Sequence, residues 1–135
     1  MYTTLDQVQA LIPGEFLTQS LDDNGDGVID AWDSVSAAVD TRINGILGTR
    51  YAVPFSPVPP VVADAALMLA CEMCYGRRGV SAKENPFAAQ AEQTRKLLAE
   101  IAAGDMALFP GVNRQEPSVS IITEPSGVFS KRGAI

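Results

Sequence analysis

Apolar residues recur three and four positions apart along most of the first hundred residues, the spacing of amphipathic helices. Leu5, Val8, Leu11 and Ile12 form the first such set. Thr4 stands before it as an N-cap, with Gln7 three residues on at the capping-box spacing, and Pro13-Gly14 ends the element. A second short helix over 15–21 turns Phe16 and Leu17 toward the core. From Ala31 to Leu47 the spacing is kept by Val35, Ala38, Val39, Arg42, Ile43, Ile46 and Leu47. Asp33, Ser36, Asp40, Thr41 and Asn44 make up the opposite, polar face, and Gly48 is placed to close the helix as its C′ residue.

Tyr51 to Pro60 breaks the pattern. Pro54, Pro57, Pro59 and Pro60 favour an extended polyproline connector. Proline suits a first helical turn, so Pro59-Pro60 starts the next helix, which runs through Val61, Val62, Ala65, Ala66, Leu67, Leu69, Ala70 and Met73 to Tyr75. Apolar nearly all round, it is the expected central buried helix. Gly76-Arg77-Arg78-Gly79 closes it, with two cations at the negative end of the dipole. Asn85-Pro86 opens the last long helix, whose stripe is Phe87, Ala88, Ala91, Thr94, Leu97, Leu98 and Ile101. Glu92 and Lys96 form a favourably oriented (i, i+4) pair, and Gly104 stops the helix. Residues 110–135 are broken by Pro110, Gly111, Pro117, Pro125, Gly127 and Gly133, around one alternating strip, Val119-Ser120-Ile121. The expectation is an all-α fold: a compact bundle of about four main helices, with a Pro-rich connector between helices. It forms one helical domain over 1–109, followed by an extended C-terminal arm over 110–135 that needs a partner surface.

Composition narrows the function. The chain has 135 residues, enough for one domain with a real core, and its mean hydropathy is +0.10. Its net charge of −6 argues against gripping nucleic acid by the phosphates. That charge is unevenly placed. Residues 1–41 hold eight acids and no base, whereas residues 42–135 hold eight acids and ten bases. The absence of histidine removes Ser-His-Asp and Cys-His catalysis and His-ligated zinc. Two cysteines are too few for a disulfide framework. The opening Met-Tyr-Thr-Thr-Leu-Asp lacks the basic and apolar regions of a signal peptide, and no stretch has the length of a membrane span. The expected setting is cytosolic or particle-associated.

The best local motif is residues 22–33. Set on the twelve-residue EF-hand loop, Asp22, Asn24 and Asp26 take the first, third and fifth positions, and Gly27 the sixth. Val28 offers its backbone carbonyl, Asp30 fills the ninth position, and Asp33 stands where Glu is usual. A hard dication needs six to eight converging oxygens, and a tight glycine turn brings alternate side chains inward. The other reading is an Asx-rich turn that joins two helices without metal. Asp33 matches the calcium loops of dockerin modules, so a calcium-dependent protein-binding module with a single such loop is one function class in play. Cys71-x-x-Cys74 lies mid-helix with no strand before it, so core thiols are expected rather than a redox or zinc motif. The Pro54–Pro57 and Pro57–Pro60 spacings read as a rigid connector before a polyproline ligand. Arg77-Arg78 reads as a solvated helix end or a phosphate contact, and Lys131-Arg132 is too short a basic run for nucleic acid. With no phosphate loop and no framed pair of catalytic acids, an enzyme is not expected.

Several stretches together resemble a known family. They are the opening Met1-Tyr2-Thr3-Thr4-Leu5-Asp6, the loop Leu21 to Asp30, and the helix end Ile46-Leu47-Gly48-Thr49-Arg50-Tyr51. The most specific is Arg50-Tyr51-Ala52-Val53-Pro54 through Ser56-Pro57-Val58-Pro59-Pro60, followed by the apolar helix ending Tyr75-Gly76-Arg77-Arg78. Phe129-Ser130-Lys131-Arg132 is weakly similar to the family's C-terminal end. The chain resembles the virion proteins of Mu-like phages and prophages that lie between head and tail genes, a family similar to the head-to-tail adaptors of long-tailed phages. It departs from many relatives at Asp33, where an apolar residue is frequent. The resemblance implies a structural, non-enzymatic protein without organic cofactor. It implies a homo-oligomeric ring of about twelve copies at the head–tail junction of the virion, assembled from host cytoplasm. Its partners there would be the portal protein and a tail-side stopper, with neither tight nucleic-acid binding nor a membrane. Val119, Ile121, Val128, Phe129, Lys131 and Arg132 of the arm are the expected partner contacts.

Overall fold

A computed structural model of the chain describes residues 1–108. The arm, its alternating strip and the six partner contacts expected there lie outside the described residues. Five helices make up the body: α1 (Leu5–Gln9), α2 (Gly14–Leu21), α3 (Trp32–Leu47), α4 (Pro60–Arg77) and α5 (Ala88–Ala103). The described residues contain no strand, and none of their helices is long and apolar enough to cross a membrane.

The expected centre is the observed one. α4 packs against α1, α2, α3 and α5, and α3 also packs on α5. Between Val61 and Tyr75 only Asp64 is exposed, because every face of the helix meets a neighbour. Around it lie the fully buried Ile12, Leu17, Leu21, Ile43, Leu47, Tyr51, Leu98 and Ile101. Each such aliphatic side chain contributes about 1.5–3 kcal/mol by leaving water.

The helix ends show where local signals hold. Thr4 accepts from the Gln7 N–H while the Gln7 side chain accepts from the Thr4 N–H, the reciprocal capping box. α1 is shorter than its apolar spacing suggested. After Gln9 the chain tightens, with the Leu11 N–H donating to Val8 O at 3.0 Å, so Ile12 turns inward and Leu11 outward. At the end of α5 the Gly104 N–H donates to Ile101 O and the Asp105 N–H to Glu100 O, a Schellman pair. Gly104 has φ +88°, a left-handed conformation that favours glycine. Gly48 differs from expectation: it follows α3 with φ −65°, right-handed like the helix before it.

Three other departures have long-range causes. The connector is not an extended polyproline run, since Val53–Pro54 and Ser56–Pro57 are cis, and it buries Tyr51 and Phe55. α5 begins at Ala88 rather than at Asn85-Pro86. Asn85 is instead held away from the helix axis by donating to Glu72 O of α4 at 3.1 Å, while its Oδ1 accepts from the Phe87 N–H at 2.9 Å. The polar face of α3 is partly covered: Ser36 is buried, Asp40 accepts from the Tyr2 N–H at 3.1 Å, and Asn44 accepts from the Tyr2 hydroxyl. The N-terminal residues thus lie across the polar face of α3.

Candidate functional site

The acidic loop joins α2 to α3, and its two ends are closed by one acceptor. Leu21 O takes the N–H groups of both Asp30 and Ala31 at 2.9 Å. Inside, Asp22 organises the turn. Its Oδ1 accepts from Asn24 N (3.2 Å), Gly25 N (2.8 Å) and Asp26 N (3.2 Å), and its Oδ2 from Gly27 N (2.6 Å). Gly27 has φ +78°, which lets its N–H point back into the turn. The Gly27 hydrogen bond is the largest influence holding the Asp22 carboxyl below its ordinary value, followed by the opposing cost of desolvation and then the bonds from Gly25 and Asp26. Asp26 accepts from the Val28 N–H at 3.0 Å. Asp30 accepts from the Asp23 N–H at 2.9 Å and from the Asn24 amide.

Of the six loop positions expected to surround a cation, the fold brings three carboxylates together. Oxygens of Asp22, Asp26 and Asp30 lie within 4.8 Å of one another. Asn24 adjoins them through its side-chain amide, which donates to Asp30. Val28 sits at the loop tip with its side chain 58% exposed. Asp33 does not join: it lies in the first turn of α3, exposed, where its charge favours the helix N-terminus. Ile29, as such loops require, packs on the core. Chemically, the arrangement is a hydrogen-bonded anionic turn whose three convergent carboxylates can share a hard divalent cation.

Sequence spacing missed the clasp that holds this loop to the body. Arg77, at the end of α4, donates through Nε to Ser20 O at 3.0 Å and pairs with Asp23. Arg78 lies over the Phe16 ring, 5.6 Å from its centroid, and Phe16 in turn stacks on Tyr75 at 4.3 Å. The two arginines are therefore engaged with the α2 side of the fold rather than simply solvated. The signal in the sequence was an acid-rich loop and an arginine pair, but nothing local joined residues 54 apart.

Cys71 and Cys74 are both free and buried, the core thiols the mid-helix placement suggested. Burial pushes the Cys71 thiol up to about 12, with Cys74 adding to the rise. Burial pushes Cys74 up to about 11 against the opposing pull of Arg77. Neither has the lowered pKa of a reactive cysteine.

The family model described as Bacteriophage Mu, Gp36 fits residues 2–121. No curated protein matches the chain significantly.

Proposed function

Because the chain belongs to the bacteriophage Mu Gp36 family, we propose that this phage protein is a structural component of the virion, a head-to-tail adaptor. In this reading many copies form a ring between the portal protein and a tail-side stopper, and the protein carries out no catalytic step. The observation that carries it is the family match over residues 2–121, which takes in the whole described body and part of the arm. The body suits the role, since α4 is locked against four other helices and offers a rigid unit for ring packing. The net charge of −6 suits a ring that DNA passes through without being held. Virions and isolated necks, imaged by electron microscopy with the protein labelled, test the proposal. Label at the head–tail junction is expected. Label confined to heads or tail tips, or absent from particles, rejects it.

A second reading concerns the loop alone and is compatible with the first. The convergence of Asp22, Asp26 and Asp30 favours calcium as a structural ligand, which would lower the anionic charge of the N-terminal third. Calorimetric titration decides: heat and a rising melting temperature with millimolar calcium support it, and their absence removes both this ligand and the calcium-dependent binding module.

A further inference from the structure

We propose that residues 116–124 of this chain dock in a groove of its own helical body, floored by Ile46, Leu69 and Met73 and rimmed by Arg42, Arg77 and Arg95. The groove consists of two adjoining recesses. Arg42, Ile46, Leu69 and Arg95 enclose the narrower, of about 200 Å³. The wider, of about 390 Å³, shares Arg42 and includes Met73 and Arg77. Glu72 lines the wider recess and Arg95 the narrower, and their ion pair at 2.8 Å stands between the two. Leu69 belongs to the core and Ile46 and Met73 pack against it half-buried, so an apolar strip reaches the surface here. Arg42 is exposed and has no ion-pair partner among the described residues. Arg77 and Arg95 are already paired, with Asp23 and with Glu72 and Glu92, so among the described residues Arg42 is the rim cation left to meet an acid beside the apolar floor, which suits an apolar segment with a carboxylate at its end.

The chain beyond Leu108 contains one such segment. Its only acids are Glu116 and Glu124, and they bracket Val119, Ile121 and Ile122 with no base between them. Arg114, Lys131 and Arg132 all lie outside the bracket. The reach is sufficient. The end of α5 stands beside the end of α3, since a Cβ on Gly104 would lie 3.0 Å from the Arg50 guanidinium. Arg42 is about 7.5 Å back along α3 from Leu47, its last residue, five residues at helical rise. Residues 109–115 alone span about 23 Å when extended. The family match, moreover, continues past the described body to residue 121. It therefore covers Val119 and Ile121. Nothing in this inference depends on the virion role.

Paramagnetic relaxation tests it on the full chain. A nitroxide is attached to Ser120→Cys, with the native thiols buried. The ¹⁵N-labelled protein is then diluted into excess unlabelled, nitroxide-free chain, so that only same-chain contacts are read. The expected result is loss of the amide signals of Ile46, Leu69 and Met73 and retention of those of Asp6 and Glu15. The signals should return in Glu116→Lys/Glu124→Lys and in Val119→Asp/Ile121→Asp, changes that leave the sequence of the five helices untouched. Three outcomes overturn the proposal: groove signals that survive the nitroxide, losses that persist in both double variants, and losses seen only before dilution, which would mean a neighbouring copy's segment fills the groove.

Discussion

The phenol of Tyr2 bridges two segments far from it in the chain. It donates to Asn44 Oδ1 at 2.5 Å and accepts from the Phe55 N–H at 3.0 Å. Tyr2→Phe keeps the ring packing on Phe55 but strands a buried backbone N–H, which costs about 1–3 kcal/mol. Urea unfolding should show that loss with an unchanged denaturant slope. A shift under about 0.5 kcal/mol would mean that water replaces the phenol. The two thiols make a second prediction at this scale. With Cys71 raised to about 12 and Cys74 to about 11, neither should react with an alkylating reagent at pH 8 until the protein is unfolded in denaturant. The sign for stability follows from the same shifts. The folded protein holds these protons more tightly than the unfolded chain, so the thiols do not weaken it below their ordinary value of 9.0. They do weaken it as pH rises above that toward 11–12. A melting temperature flat from pH 9 to 11 would contradict this.

At the scale of elements, Asn85 is the hinge between two helices. It is 8% exposed, donates to α4 through Glu72 O, and accepts from the Phe87 N–H at the entrance to α5. Asn85→Ala should cost about 1–3 kcal/mol, since a buried side chain loses its bond to Glu72 O and the Phe87 N–H loses its acceptor. Asn85→Asp keeps the acceptor and loses the donor, and it places a carboxylate against a carbonyl oxygen. Thermal melts should therefore show both variants weakened. An Asp variant as stable as the parent would mean that only the bond from the Phe87 N–H matters. This residue also shows what the sequence does and does not disclose. The capping box of Thr4 and Gln7, the apolar girth of α4 and the clustering of Asp22, Asp26 and Asp30 are all written within a turn or a loop, and spacing is enough to find them. The delayed start of α5, the Arg77 clasp on Asp23 and the Arg95–Glu72 pair depend on partners 13, 54 and 23 residues away. Arg95 also takes Glu92 at 3.1 Å, one residue short of the Lys96 that helical spacing nominated. The polar face of α3 is covered by partners equally far away in the chain. Asp40 and Asn44 look solvated until Tyr2 is folded onto them.

For the whole molecule, the deciding fact is that one helix touches all the others. α4 contributes Val62, Ala65, Ala66, Leu69, Ala70, Cys71 and Cys74 to the core, and separating any other helix exposes part of that surface. α1 is the opposite case: five residues, one of them buried, capped at its start but without a basic residue in its last turn. A helix that short has no independent stability, so its opening requires only the loss of its own contacts. Native-state hydrogen exchange should therefore rank the elements. Amides from Val62 to Cys74 should exchange only through global unfolding, with the full free energy and the full denaturant dependence. Those of Val8 and Gln9 should exchange through a local opening that denaturant barely affects. α3 and α5, which pack on each other as well as on α4, should follow α4 closely. If the amides of α1 and α4 instead merged at one free energy, the N-terminal segment bound through Tyr2 would be part of the cooperative core. In that case Tyr2→Phe should lower the protection of both helices together.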